Sequence, residues 1–233
     1  MKVAFVDSRI SQEEIYALSK LDFNLILCPQ LKNLYEAISG HPDIQVNIVD
    51  NSSIIVHKDF PLDLIKKISN YEIKVYKSLD SLDSKYPKDI LLNAVTLKDY
   101  FIHNLKFTDK NLLNLVKDRI LIHTNQGYTK CSTAIVSNKA IITSDISIKK
   151  ALMYTNIDVL FLPPGHIVLP GLDYGFIGGT CGLIEEGTIG FFGDLENYKY
   201  GKEILNFLII HDVKPIYFKK GPLIDRGSLL TLK

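Results

Sequence analysis

Cys131, His41 and a set of aspartates are the side chains in this sequence whose types and spacing could carry out covalent chemistry. A cysteine thiolate is a strong nucleophile near neutral pH. A histidine moves protons in that range, and carboxylates hold cations. Cys131 opens a predicted strand six residues before a turn at Ser137, while Asp43 and Asp89 each stand seven residues before theirs, at Asp50 and Thr96. The three are therefore expected at nearly one height near a common axis. His41 lies two residues from Asp43 and could supply acid and base to the same cup. A thiol that faces carboxylates is a poor thiolate alone, because negative neighbours raise its pKa; a bound cation reverses that balance.

Other residues carry weaker signals. His166, in the glycine- and proline-rich run PPGHIVLPG followed by Asp173, is the rival to His41. Cys181, within GGTCG, reads as a packed residue beside close-approach glycines, and Cys28 as the structural end of a strand before Pro29. Asp145 and Asp194 stand where helix N-termini favour a carboxylate. Asp7 and Arg9 come against Asp225 and Arg226 if the terminal segments pair. That doubled set is either an ion-pair seal or a clamp for a zwitterion.

The elements that must position these groups repeat. Helix patterns such as QEEIYALSKL, PLDLIKKIS and YGKEILNFLII have apolar residues at helical spacing, with lysine or glutamate opposite. Ser11 and Glu14 fit a capping box on the first. Each helix is followed by a short β-branched or aromatic strand (NLILC, IKVYK, RILIH, DVLFL, KPIYF) and then by a hairpin. Hairpin ends recur every 41 to 52 residues, at Asp7, Asp59, Asn104, Asp145 and Asp194. The fifth hairpin is completed only if GSLLTLK (Gly227 to Lys233) pairs with KVAFVD (Lys2 to Asp7). Such a period indicates a repeat array, and the wrap-around indicates a closed one. Following the strand directions, the loops between the first two strands of each unit gather at one end with the strand-to-helix junctions. Function is expected on those loops.

Composition narrows the rest. The chain has 233 residues, 46% hydrophobic and 23% charged, with a net charge of +1. No linker divides it, so residues 1–233 read as a single domain. Lysines are spread along the length without a basic stripe, so no nucleic-acid partner is expected. No window approaches a membrane span, and the apolar start is too short for a signal peptide. Three widely spaced cysteines without metal-ligand spacing predict free thiols, a cytoplasmic setting, and neither a metal nor a cofactor.

Five ββαβ units closed through the chain ends resemble the pentein fold, the α/β-propeller of the guanidino-group-modifying enzymes. Arginine deiminase, agmatine deiminase, dimethylarginine hydrolase and glycine amidinotransferase share it. Gly40-His41-Pro42-Asp43 is similar to the GHxD segment that carries the catalytic histidine of agmatine deiminase. NQGYTKCS (Asn125 to Ser132), DYGFIGG (Asp173 to Gly179) and GPLIDRGS (Gly221 to Ser228) are similar to a bacterial branch of that superfamily. The resemblance implies Cys131 as nucleophile at a guanidinium carbon, His41 as acid/base, and Asp43 with Asp89 or Asp173 as guanidinium ligands. Asp7, Arg9, Gln126, Asp225 and Arg226 complete the substrate-binding candidates. Those enzymes place the cysteine in the final repeat; here that repeat has none, and Cys131 sits in the third. The expected function is a cysteine-dependent hydrolase or transferase acting on a C–N bond of a small cationic guanidine or amidine. The alternative is a non-catalytic pentein that binds a small molecule or a macromolecular partner, as the eukaryotic and archaeal ribosome anti-association factors share the architecture and act by binding.

Overall fold

The computed structural model describes residues 2–232. The chain opens with β1 (Lys2–Asp7), α1 (Gln12–Ser19) and β2 (Phe23–Cys28). A single helical turn, α2 (Pro42–Gln45), leads into β3 (Val46–Asp50), β4 (Ser53–Val56), α3 (Leu62–Ser69) and β5 (Lys74–Lys77). The next unit is β6 (Val95–Thr96), β7 (Tyr100–His103), α4 (Lys110–Leu115) and β8 (Ile120–His123). It is followed by β9 (Thr133–Ser137), β10 (Ala140–Thr143), α5 (Ile146–Ala151) and β11 (Asp158–Phe161). The last comprises β12 (Cys181–Glu185), β13 (Thr188–Phe191), α6 (Gly201–Ile210) and β14 (Lys214–Tyr217), and β15 (Leu230–Leu232) ends the chain.

These strands form five three-stranded sheets, each with an antiparallel inner hairpin and a parallel outer strand. The closure expected from the repeat is present: β15 pairs antiparallel with β1, with Leu232 opposite Val3 and Leu230 opposite Phe5. Lys233, the last residue of the expected strand, lies outside the described residues. Around the axis, β15 contacts β3 and β12, β3 contacts β6, and β12 contacts β9. This is the five-bladed α/β-propeller that the sequence predicts.

Each interface between adjacent blades holds its own apolar core with one helix on its outer side. Val3, Phe5, Val46 and Ile54 pack with Ile68 of α3, while Ala4, Val6, Phe192 and Phe218 pack with Leu18 of α1. The helices are shorter than their sequence patterns, so their stability comes mainly from this packing. The capping box on α1 is formed: the Glu14 main-chain N donates to Ser11 Oγ (3.2 Å), and the Ser11 N donates to Glu14 Oε2 (2.5 Å).

At the strand entrances the sequence reading needs correction. Cys131 does not begin a strand but sits in a turn two residues before β9, and Asp89 likewise precedes β6 in a turn. Asp43 lies on α2, where Pro42 at the first helical position fixes the backbone. All three nevertheless fall at the same end of the ring.

Two buried histidines should make the fold sensitive to acid. Burial pushes His57 and His103 down to about 4. His103 is satisfied by Thr108 Oγ1 (2.7 Å) and the Gly127 carbonyl (3.0 Å), whereas His57 Nε2 has no partner. Both lie below the unfolded value, so their stabilisation is full above about pH 6.5 and disappears as pH falls towards 4. Each is worth about 3 kcal/mol across that window. The thermal midpoint should fall steeply over it, and His57→Leu should make the fall shallower.

Candidate active site

His41 and Cys131 come from different blades and meet across one cavity. His41 stands immediately before α2, ahead of β3, and is 1% exposed; Cys131 precedes β9 and is 2% exposed. Both line a cavity of about 300 Å³ together with Asp225 and Asp173. Its walls are apolar and aromatic: Ile38, Leu169 and Leu172, with Tyr35, Tyr128 and Phe176. The Tyr128 and Phe176 rings stack at 6.3 Å. A small concave site with apolar walls and a few convergent polar groups is the usual form of a ligand pocket.

The polar floor is tightly tied. Asp225 Oδ2 accepts from the Phe176 main-chain N (2.8 Å) and Oδ1 from the Gly227 N (2.9 Å). His41 Nδ1 stands 3.9 Å from Asp225 Oδ1 and has no closer partner. Burial pushes the Asp225 carboxyl up, His41 opposes the rise, and Asp43 adds to it. Asp43 Oδ2 accepts from the Ser228 hydroxyl (2.6 Å), which in turn accepts from Lys130 Nζ (2.9 Å); Asp43 Oδ1 is buried without a partner. Burial, followed by the charges of Asp43 and Asp225, holds the Cys131 thiol well above its ordinary value. At rest Cys131 is therefore a neutral thiol, and a cation beside those carboxylates favours its ionisation.

Asn93 organises the nucleophile, a role the sequence reading missed. Its Nδ2 donates to Cys131 Sγ (3.1 Å) and to the Asp43 carbonyl (2.9 Å). Its Oδ1 accepts from the main-chain N of Lys130 (2.9 Å) and of Cys131 (3.2 Å). One side chain from the intervening blade thus ties the His41–Asp43 segment to the cysteine turn. The Asp-Ile-x-x-Asn repeat at Asp43 and Asp89 was the available signal, since it places Asn47 and Asn93 at matching positions. Asn47, within β3, also reaches the next blade, donating to Leu92 O (3.1 Å) and Ala94 O (2.8 Å), but it holds no cysteine turn. The aromatic walls were also unforeseen.

Other expected site residues are placed apart from the cavity. Asp89 is buried behind its wall, where Tyr128 Oη donates to Oδ2, and Tyr128 also lies 3.1 Å from Tyr35 Oη. Gln126 Nε2 donates to Asp145 Oδ2 (2.7 Å), in a separate hollow on the far side of Phe176. The doubled Asp/Arg set resolves into two ion pairs. Arg9 Nη2 meets Asp7 Oδ2 at 2.5 Å, while Arg226 reaches Glu14 (Nη2 to Oε2, 3.0 Å) instead of Asp225. Neither arginine lines the cavity. His166 has a left-handed φ of +63° and borders only a hollow outside it, next to Asp173. Cys181, pushed up to about 11 by burial, packs against the Ile177 carbonyl. All three cysteines are free and buried.

A larger axial cavity of about 440 Å³ opens among the hairpin turns at the opposite end, with Lys130 at its inner limit. None of the cysteines or histidines lines it. Among the described residues no group of three or more His, Cys, Asp or Glu is placed to hold a metal ion, and no helix is long and apolar enough to cross a membrane.

A family model described as a family of unknown function (DUF6873) matches residues 5–230. No curated protein matches the sequence. Solved structures match by fold. The amidinotransferase SxtG of Microseira wollei, from the saxitoxin biosynthetic pathway, is 12% identical with a TM-score of 0.58, covering 94% of this chain and 77% of its own. DDAH from Pseudomonas aeruginosa, solved with citrulline, is 10% identical with a TM-score of 0.53, covering 93% and 91%. Agmatine deiminase from C. jejuni is 12% identical with a TM-score of 0.53, covering 94% and 86%. These likenesses establish the pentein fold.

Proposed function

We propose that this chain, which belongs to the family of unknown function DUF6873, is a cysteine-dependent enzyme that cleaves or transfers at a C–N bond of a small guanidine or amidine. The observation that carries this reading is that Cys131, His41, Asp225 and Asp173 line a single cavity. The named activities of the similar structures, an amidinotransferase and two enzymes acting on guanidino compounds, support it as analogy.

In this reading each group at the cavity has a role in one sequence of steps. A guanidinium entering the cavity brings positive charge onto Asp225, which lines it, and nearer to Asp43, which does not line it but keeps a buried oxygen without a partner. The same charge favours the Cys131 thiolate, so the nucleophile forms when substrate is present. His41 takes the thiol proton. Sγ then bonds to the guanidinium carbon, and His41 returns the proton to the departing nitrogen, which leaves as ammonia or an amine. Water then attacks the amidino-cysteine, with His41 again as base, giving a ureido product and the free thiol. An amine in place of water would complete a transfer instead. The Asn93 amide, 3.1 Å from Sγ, favours the thiolate throughout.

The test is a screen of alkyl guanidines, methylated guanidines and amidines for ammonia or amine release, with thermal midpoints recorded alongside. A substrate should both raise the midpoint and release nitrogen. Stabilisation without release, unaffected by Cys131→Ala, would favour a pentein that binds without turnover.

A further inference from the structure

Taking the guanidine or amidine reading as its basis, we infer that this cavity selects cations whose far end is apolar or amino, and rejects those that carry a carboxylate.

The charged side chains lining the cavity are acidic: Asp225 at the floor and Asp173 at the exposed rim, with His41 beside Asp225. The positive groups nearby are turned to other work. Arg9 gives Nε and Nη2 to Asp7, and its Nη1 and Nη2 also reach the carbonyls of Glu36 (2.6 Å) and Ala37 (3.1 Å). Arg226 gives Nε (3.2 Å) and Nη2 (3.0 Å) to Glu14, a carboxylate with no exposed surface. Lys130 points to Ser228 Oγ and borders the axial cavity instead.

Of the lining hydroxyls, those of Tyr128 and Tyr35 are engaged, and only that of Tyr174, on the exposed side, has no partner among the described residues. The Tyr128 hydroxyl proton goes to Asp89, which leaves the Tyr35 proton to bridge to Tyr128 Oη. The main-chain N–H groups of Phe176 and Gly227 are held by Asp225. A carboxylate entering this space would lose its water, find no lysine or arginine among the lining residues and face Asp173 and Asp225. Burying a charge without a partner is strongly unfavourable. An ammonium or alkyl tail meets the opposite situation, with aromatic faces and a rim carboxylate that favour it.

Agmatine and arginine differ only by the carboxylate, which makes them the direct probes. Binding to the Cys131→Ala protein, measured by calorimetry, removes turnover from the comparison. Agmatine should bind at least about 30-fold tighter than arginine, the effect expected of one repelled charge in a partly screened site. Arginine methyl ester should recover most of that loss. Asp173→Lys should draw the arginine affinity towards that of agmatine. Arginine binding within threefold of agmatine, or a ratio unmoved by Asp173→Lys, would overturn the selectivity while leaving the guanidine chemistry standing. Failure of both ligands to bind would overturn the selectivity and the guanidine reading together.

Discussion

Cys131→Ser should reduce nitrogen release from the best guanidine by at least about 10³-fold, the scale seen when a covalent nucleophile is removed. The fold should survive. Serine is smaller and can accept the Asn93 amide as Sγ does now, so the thermal midpoint should change by only a few degrees. Binding should persist, because the floor carboxylates and aromatic walls are untouched. Cys181→Ser is the matched control: Cys181 is equally buried, but it packs in the neighbouring blade against the Ile177 carbonyl and does not line the cavity. Its turnover should stay within severalfold of the parent. Equal losses in the two variants would show that buried sulfur matters for packing alone.

The second large effect belongs to a residue with no side chain. Gly227 has φ +67°, and a Cβ there would lie 2.2 Å from His41 Cβ and 2.5 Å from His41 Cα. Its N–H also holds Asp225, and its carbonyl accepts from the Asp43 N (3.1 Å). Gly227→Ala must therefore strain the backbone and push the histidine segment away from Asp225. We expect a loss of about 2–5 kcal/mol from strain and overpacking combined, or roughly 5–15 °C in thermal midpoint for a chain of this size. Turnover of the remaining folded protein should fall about 100-fold, since a displacement near 1 Å is that costly to an oriented proton transfer. Gly221→Ala separates the two causes. Gly221 also has a left-handed φ (+91°), but an added Cβ there meets nothing within 4 Å. It should show the strain without the loss of activity.

What the sequence made legible follows from which signals are local. The repeat of helix, strand and hairpin rests on periodicity within short windows, so the blades and the closure of β15 on β1 could be read directly. The convergence of Cys131 and His41 also followed, because strand direction alone sorts loops to one end. The pairings between blades could not be read this way. Arg226 joins Glu14, more than two hundred residues away in the chain, and not Asp225. Nothing in LIDRGS distinguishes those outcomes. Asn93 looked like half of a repeated motif, and only the approach of three blades gives its amide four partners. Asp89 was grouped with Asp43 by that motif, yet Tyr128 captures it behind the wall. The crowding of glycines near Gly175 to Gly182 signalled close approach, although its object emerged only in three dimensions. A Cβ on Gly179 would lie 1.9 Å from Asp225 Oδ1.

The most direct test of the account is to treat the protein with 2-chloroacetamidine and map the adduct by mass spectrometry. An amidinium cation seated on Asp225 should activate the one thiol that lines the cavity. A single adduct is expected, at Cys131, with its formation slowed by guanidine ligands and by His41→Ala and its rate well above that with neutral chloroacetamide. Modification of Cys28 or Cys181 at a comparable rate, or no preference for the charged reagent, would contradict it.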